Sequence, residues 1–286
     1  MAERNFKQLL EAQWGKGKFV CVGLDSDLEK IPEAAKQQGV RETIVGFNRA
    51  IFDTTRDLAS CYKLNSAFYE SRGDEGWKAL RETIQYIQDE ASEIPVILDS
   101  KRADIESSNL GYIESFFNFL KADAITLPAY MGKHAVQPFL DQKNKGMFIL
   151  CRTSNEGAGE FQDLKVDGTS IGLSASEPLY KVVARHVVEG WNQNDNCGLV
   201  VGATYPEELK EVRAIAPNLP ILLPGIGTQN GDLVKSVRFG KDSRNSGLII
   251  CSSRAVIFAG SDKDFAVAAR NKVHELNREI AAALIQ

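Results

Sequence analysis

The sequence lacks long apolar runs. It also lacks the cysteine spacings of disulfide-rich proteins and of structural zinc sites. No run approaches the roughly 18 apolar residues that a membrane-spanning helix needs, and residues 1–6 lack the charged-then-apolar pattern of a secretion signal. The five cysteines are far apart, odd in number and form no Cys-x-x-Cys pair. We therefore expect buried thiols in a reducing compartment, which predicts a cytoplasmic protein without a membrane partner.

A strong charge of one sign is missing as well. Lys and Arg number 34 against 38 Asp and Glu, a net charge of −4, and no basic stripe stands out, so we expect no nucleic-acid partner. His134, His186 and His274 fall in predicted helices without metal-ligand spacing. No Ser/His/Asp or Cys/His arrangement falls at the predicted strand ends. We therefore expect no metal and no cofactor, and chemistry that rests on Lys and Asp.

What the sequence does contain is a regular alternation of short apolar runs and helical stretches. Eight strand–helix units can be counted, and their strands are rich in Val, Ile and Leu without polar alternation, which is typical of a parallel sheet covered by helices. The length of 286 residues suits a (β/α)8 barrel of roughly 250 residues. We predict a TIM barrel, with residues 1–286 forming a single domain that has a short N-terminal extension. The alternative, a doubly wound open sheet, fits poorly because the first strand is not followed by a Gly-rich turn.

One stretch interrupts the alternation. Residues 153–177, about 25 in number, are rich in Gly, Ser, Asn and Asp and show no clear element of their own. Loops of this length are usually functional or disordered. Because the stretch follows the predicted fifth strand, we expect it to act as a lid over the active face of the barrel.

Charged residues collect where the predicted strands end. A strand predicted over residues 96–101 ends with Asp99 and Lys101, which strand geometry would place on one face. Asp25, Lys63 and Arg254 lie at the ends of other predicted strands. Barrel enzymes carry their catalytic groups at the C-terminal ends of the strands. The convergence of these five residues therefore predicts an active site.

The predicted seventh strand is followed by a Gly-rich loop at residues 224–232. Glycines let backbone N–H groups approach an anion closely, and barrel phosphate sites are frequently built from the loops after strands seven and eight. Gln229 in this loop can donate its amide, and Arg254 in the next loop can donate two parallel hydrogen bonds. The sequence therefore predicts a phosphorylated substrate.

Taken together, these motifs resemble the orotidine 5′-monophosphate decarboxylase family, in its larger bacterial-type subgroup, over nearly the whole chain. The Asp-x-Lys-x-x-Asp core is shared with other phosphosugar decarboxylases of this barrel, whereas Arg102, the Thr-Ser-Asn loop and the Pro-Gly-Ile-Gly turn are more specific. The matching pieces are residues 22–25 (VGLD), 63–70 (KLNSAFYE), 99–105 (DSKRADI), 130–132 (YMG), 153–158 (TSNEGA), 200–204 (VVGAT), 223–227 (LPGIG) and 252–254 (SSR).

The resemblance implies a cofactor-independent enzyme that converts orotidine 5′-phosphate to UMP and CO2 in de novo pyrimidine synthesis. It implies a homodimer with shared active sites, and it makes Lys63, Asp99, Lys101 and Asp104 an alternating charged array in which Asp104 comes from the second subunit. The remaining substrate contacts that it implies are Asp25 and the partner's Ser108 at the ribose, Ser154 at the pyrimidine ring with Asn155 beside it, and Gln229 and Arg254 at the phosphate.

Two departures from the family pattern stand next to the core motif. Glu106 replaces the usual Gly, and we expect it to interact with the dipole at the start of a helix. Ser100 and Ala103 stand where Ala and Gly are more common.

Two other functions remain open from the residues. One is a Schiff-base aldolase that uses Lys63 or Lys101, and the other is a non-catalytic barrel that binds a phosphate ligand. An intact Lys/Asp array makes the second improbable.

Overall fold

Short apolar runs form eight parallel strands that close into a barrel in the order β1-β2-β3-β4-β5-β8-β9-β10, so the predicted TIM barrel is confirmed. These strands are buried almost throughout, because one face packs inside the barrel and the other lies under helices. Two further short strands, β6 and β7, pair with each other outside the barrel. In chain order the strands are β1 (Val20–Gly23), β2 (Cys61–Asn65), β3 (Val96–Asp99), β4 (Ala124–Leu127), β5 (Gly146–Arg152), β6 (Lys165–Val166), β7 (Glu177–Pro178), β8 (Cys197–Val201), β9 (Ile221–Leu223) and β10 (Leu248–Ser252).

The structure is a computed structural model and describes residues 4–172, 175–227 and 231–285. Helices between and after the barrel strands cover the outer face of the barrel, and one further helix precedes β1. They are α1 (Phe6–Trp14), α2 (Val40–Thr55), α3 (Ser66–Glu70), α4 (Gly73–Glu90), α5 (Glu106–Ile113), α6 (Gly132–Leu140), α7 (Gly159–Gln162), α8 (Leu179–His186), α9 (Pro206–Ile215), α10 (Leu233–Gly240), α11 (Arg254–Ile257) and α12 (Phe265–Ile285). Helices α5 and α8 continue as π-helical segments over Glu114–Phe119 and Val187–Trp191. Among the helices in these ranges, none has the length and apolarity to cross a bilayer.

The N-terminal extension is a helix rather than an irregular segment. Asn5 caps α1 by accepting a hydrogen bond from a backbone N–H of its first turn. The helix lies across the N-terminal ends of the barrel strands, because the Phe6 N–H donates to the carbonyl of Asn144 and the Trp14 indole donates to that of Leu248. Helix α1 therefore closes the end of the barrel that lies opposite the strand C-termini.

The stretch at residues 153–177 has more structure than its composition predicts. It contains α7, the β6–β7 hairpin and a 3-10 turn at Gly168–Ile171. The expectation that it has no element of its own is therefore wrong. These elements are too short to show a periodic pattern, and tertiary contacts hold them, such as the two hydrogen bonds that Arg185 on α8 donates to Glu177.

The cysteines and histidines lie where the sequence predicts. All five cysteines are free and buried, and burial raises the pKa of the Cys151 and Cys197 thiols to about 12. The three histidines lie on α6, α8 and α12 and are exposed. Neither group therefore supplies a nucleophile or base inside the barrel.

A buried arginine joins several elements at the N-terminal end of the barrel. Arg213 on α9 is 7% exposed and donates to the carbonyls of Gly240, Ala216, Leu219 and Gly247 at 2.6, 2.9, 2.7 and 2.9 Å. These carbonyls belong to the end of α10 and to the segments that lead into β9 and β10. One guanidinium therefore satisfies backbone acceptors that would otherwise be buried without partners.

Replacing this guanidinium should destabilise the barrel. We expect Arg213→Met to lower the free energy of unfolding by about 2–4 kcal/mol, because buried carbonyls lose their donors while the apolar stem is largely kept. Urea unfolding measures the change. Arg238→Met, on the exposed side of α10, is the matched control and should change stability by less than about 0.5 kcal/mol. Equal effects of the two substitutions would contradict this role for Arg213.

Candidate active site

Lys63 lies between two carboxylates that are delivered by neighbouring strands. Strand β2 pairs with β3 so that Lys63 is opposite Ile97 and Asn65 is opposite Asp99. The Lys63 Nζ is 3.1 Å from Asp99 Oδ2 and 3.3 Å from Asp25 Oδ1, and Asp25 follows β1. The Lys63 side chain is only 5% exposed. A buried cation therefore sits between two anions at the C-terminal rim.

Lys101 joins the cluster through a backbone conformation that the sequence does not reveal. Strand β3 ends at Asp99, so the prediction that it continues through Lys101 is wrong. Lys101 instead adopts a left-handed conformation with φ of 48°, which non-glycine residues rarely adopt. Its Nζ is 2.6 Å from Asp99 Oδ1. The predicted acid–base pair is present, but a sharp turn forms it rather than strand alternation.

These ion pairs keep the buried groups charged. Burial raises the pKa of Asp99, but the nearby ammonium groups of Lys63 and Lys101 outweigh burial and hold that pKa well below its usual value. Burial lowers the pKa of Lys63, but the carboxylates of Asp25 and Asp99 together hold it well above its usual value. Each charge thus offsets the desolvation of its neighbour. The site holds the alternating series Asp25, Lys63, Asp99 and Lys101.

Thr126 on β4 also belongs to this cluster, and sequence reasoning missed it. Its hydroxyl donates to Asp99 Oδ1 at 2.8 Å and accepts the backbone N–H of Lys101 at 2.9 Å. The residue is 1% exposed. Its signal in the sequence is weak, since it is one polar residue inside the apolar run Ala124–Leu127.

Asp104 lies outside the Asp25–Lys101 series. Its carboxylate accepts the backbone N–H of Ile105 at 2.6 Å, and within the described part of the chain no ion pair joins it to Lys63 or Lys101. Asn109 fixes its backbone by accepting the Asp104 N–H and donating to its carbonyl at 3.0 and 2.7 Å. Asp104 is thus held in place by hydrogen bonds within its own short segment.

Two further positions singled out from the sequence, Glu106 and Ser108, lie at the start of α5. Glu106 is the first residue of the helix and is exposed, as expected for an acid at a helix N-terminus. Ser108 lies in the first turn and is half-buried. Both positions are on the same short segment as Asp104.

Several contacts hold the segment that carries Ser154 and Asn155 to the end of β5. Arg152 is buried, stacks 3.6 Å from the centroid of the Tyr205 ring and pairs with Asp163 at 3.0 Å. Gln162 on α7 accepts the Thr153 N–H at 2.8 Å and donates to the Thr153 hydroxyl at 2.9 Å. Ser154 is half-buried and Asn155 exposed. The start of the predicted lid is therefore held through Arg152 at the end of β5, Tyr205 after β8 and Gln162 on α7.

The loops after β9 and β10 pack against each other at the other side of the rim. A Cβ at Gly227, whose φ is 96°, would come within 2.7 Å of the Ala255 Cβ. Arg254 starts α11 and is exposed. Gln229 lies outside the described residues. The Gly-rich turn and Arg254 are therefore adjacent, as the predicted phosphate site requires.

No group of three or more His, Cys, Asp or Glu in residues 4–172, 175–227 and 231–285 is arranged to hold a metal ion. The chemistry that the described groups can perform is electrostatic stabilisation and proton transfer. Both suit a reaction that places negative charge beside Lys101.

Comparisons with known proteins agree with this geometry. Residues 18–269 match the family model described as the orotidine 5′-phosphate decarboxylase / HUMPS family. The chain is 41% identical to orotidine 5′-phosphate decarboxylase of Cellvibrio japonicus (strain Ueda107), over 98% of this chain and 99% of that protein. Among solved structures, it resembles OMP decarboxylase of Leishmania donovani with a TM-score of 0.81 and 36% identity, over 97% of this chain and 99% of the other.

A second Leishmania donovani structure, UMP synthase, matches with a TM-score of 0.85 and 37% identity over 99% of this chain. This chain spans only 57% of that longer protein.

The backbone of Gly202 lies so close to that of Ser154 that a substitution at Gly202 tests how the Ser154 segment is held. A Cβ at Gly202 would lie 2.6 Å from the Ser154 Cα, so Gly202→Ala must displace the segment. We expect limited proteolysis within residues 153–177 to become about five to thirty times faster, as a loss of one or two kcal/mol in local stability implies. Gly190→Ala is the control, because its Cβ would meet nothing within 4 Å. Unchanged cleavage in Gly202→Ala would contradict the anchoring.

Proposed function

Because the chain belongs to the orotidine 5′-phosphate decarboxylase / HUMPS family, we propose that Lys63, Asp99 and Lys101 convert orotidine 5′-phosphate to uridine 5′-phosphate and CO2. The enzyme is a carbon–carbon lyase of pyrimidine synthesis. One observation carries the assignment of residues: the buried Asp99 carboxylate lies between two ammonium groups, 3.1 Å from Lys63 and 2.6 Å from Lys101.

The charges of the array account for the chemistry. A substrate carboxylate next to Asp99 brings two negative charges together in a water-poor site, and loss of CO2 relieves their repulsion. As the bond from C6 to the carboxylate breaks, its electron pair stays on C6. The Lys101 ammonium stabilises this carbanion and gives it a proton, and the lysine then regains a proton from solvent.

The remaining groups bind the parts of the substrate that do not react. Asp25 holds a ribose hydroxyl, Ser154 and Asn155 face the pyrimidine ring, and Arg254 with the turn at residues 224–227 holds the phosphate. Gln229 completes the phosphate site in this proposal. Binding energy from the phosphate and ribose is then available to position the reacting carbon.

The charge state of Lys63 and the ion pair of Lys101 argue against a Schiff-base aldolase. An amine must be deprotonated to attack a carbonyl, whereas two carboxylates hold the pKa of Lys63 well above its usual value. The Lys101 Nζ forms an ion pair with Asp99 Oδ1 at 2.6 Å. We therefore expect no borohydride-trapped adduct between either lysine and a carbonyl compound.

We further propose that the enzyme is a homodimer in which Asp104 and Ser108 reach the partner's site. The segment around Asp104 exposes Ile105 and Leu110, which are 59% and 58% exposed, and the turn before α6 exposes Tyr130 and Met131, which are 96% and 43% exposed. Asn109 joins this segment to α6 by donating to the carbonyl of Ala135. An apolar surface of this kind around an anchored carboxylate suits a subunit interface.

We also propose that residues 1–286 act as a single domain in the cytoplasm, without a cofactor and without a nucleic-acid or membrane partner.

The activity is tested directly with purified protein. We expect the native chain to consume orotidine 5′-phosphate, and the loss of the substrate's ultraviolet absorbance measures the rate. Lys101→Ala should lower kcat by about a hundred- to ten-thousandfold, because it removes the proton donor and the cation that stabilises the carbanion. The control Lys78→Ala changes an exposed lysine on α4 that pairs with Glu75 and should keep the native rate. Absence of turnover by the native chain would refute the proposal.

Complementation between inactive variants tests the shared site. In a mixture of Lys101→Ala and Asp104→Ala subunits, a heterodimer has one site that lacks both groups and one that has both. We therefore expect activity to recover to about a quarter of the native level after random subunit exchange, since half of the dimers carry one intact site. Size-exclusion chromatography with labelled subunits verifies exchange. If exchange occurs and activity stays absent, Asp104 acts in its own subunit.

A further inference from the structure

A single residue of the next strand, Thr126, forms hydrogen bonds with each of the three residues from Asp99 to Lys101. The Thr126 hydroxyl donates to Asp99 Oδ1 and accepts the Lys101 N–H, and the Thr126 carbonyl accepts the Ser100 hydroxyl at 3.3 Å. Three consecutive residues of the turn are therefore bound to Thr126. Thr126 itself is buried, at 1% exposure.

This arrangement fixes two features that the chemistry needs. The backbone at Lys101 has φ of 48°, a conformation that persists only when surrounding contacts determine it. The Thr126 hydroxyl supplies such a contact at the Lys101 N–H. It also selects the orientation of the Asp99 carboxylate, because it binds the same Oδ1 oxygen that lies 2.6 Å from the Lys101 Nζ.

We propose that Thr126 is a positioning residue, which sets Asp99 and Lys101 in their reactive geometry before the substrate arrives. It acts through these two groups and does not itself need to touch the substrate. Preorganised charges of this kind stabilise developing charge without rearranging during the reaction. The inference rests on the proposed decarboxylase function.

Substitutions that separate the hydroxyl from the shape of the side chain test this role. Thr126→Val keeps the shape and removes the hydroxyl, so we expect kcat to fall about ten- to a hundredfold, as the loss of a hydrogen bond to a charged group implies. The KM and the affinity for uridine 5′-phosphate should change less than about threefold, because Asp25, Ser154 and Arg254 are untouched. Thr126→Ser restores the hydroxyl and should recover most of kcat.

A matched control separates positioning from general destabilisation. Thr43 on α2 is buried, and its hydroxyl likewise accepts a backbone N–H and donates to an oxygen, both of Gln37. Thr43→Val should lower stability by an amount similar to Thr126→Val while keeping the native kcat. Combining Thr126→Val with Lys101→Ala should lower kcat by no more than Lys101→Ala alone, since both changes remove the same effect.

Crystal structures of the two Thr126 variants give a readout that does not depend on activity. In Thr126→Val we expect the Asp99 carboxylate to rotate or Lys101 to leave its left-handed conformation, and in Thr126→Ser we expect both to stay in place. A native enzyme that turns over orotidine 5′-phosphate, with Thr126→Val equally fast, would overturn this inference and leave the proposed function intact. An unchanged turn in the Thr126→Val structure would overturn it also if the native chain were inactive.

Discussion

The Asp99 carboxylate between the ammonium groups of Lys63 and Lys101 is the interaction on which the rest of the site depends. Taking a single ion out of water costs several kcal/mol even after relaxation, and Lys63 and Asp99 are both almost fully buried. Neither ion is tolerable alone, so each requires the other, and Asp25 provides Lys63 with a second counter-charge 3.3 Å away. The alternating order is thus a condition for keeping the groups charged, and the proposed catalysis depends on these charges.

The barrel places the charged groups at the C-terminal ends of its strands and stabilising backbone contacts at the opposite end. Parallel strands in register bring the ends of β1, β2 and β3 side by side, which places Asp25, Lys63 and Asp99 at one rim. At the opposite end, α1 and the buried Arg213 bind backbone groups that precede the strands. The contacts that stabilise the barrel therefore lie at the end opposite the charged groups, as is usual in this fold.

The elements with strong local signals could be predicted from the sequence. An apolar run marks strand β5 at Gly146–Arg152, and a Pro at the first helical turn marks helix α9 at Pro206–Ile215. Charged residues directly after predicted strands are also visible in the sequence, and they predicted where the candidate site lies. Helix α1 was missed, since its buried residues contact segments more than a hundred positions away in sequence.

The detailed geometry of the site depends on contacts between strands that are distant in sequence, so it could not be predicted. The left-handed conformation of Lys101 needs a partner on β4, and no residue pattern near Lys101 announces it. The anchoring of the Ser154 segment involves Tyr205 and Gly202, which follow another strand. Both cases require knowledge of which strands are neighbours before the role of a residue can be stated.

Close backbone packing joins the end of β1 to the end of β10 at the rim. Val22 on β1 is opposite Ser252 on β10, and a Cβ at Gly23 would come within 3.2 Å of the Ser253 Cα and clash with its side chain. Asp25 follows Gly23 by two residues, and Arg254 follows Ser253 directly. The absence of a side chain at Gly23 therefore sets the separation between the carboxylate assigned to the ribose and the guanidinium assigned to the phosphate. A larger residue there would push β1 and the Ser253 segment apart. In the proposed binding mode, this would lengthen the span between the ribose contact and the phosphate contact without touching either one.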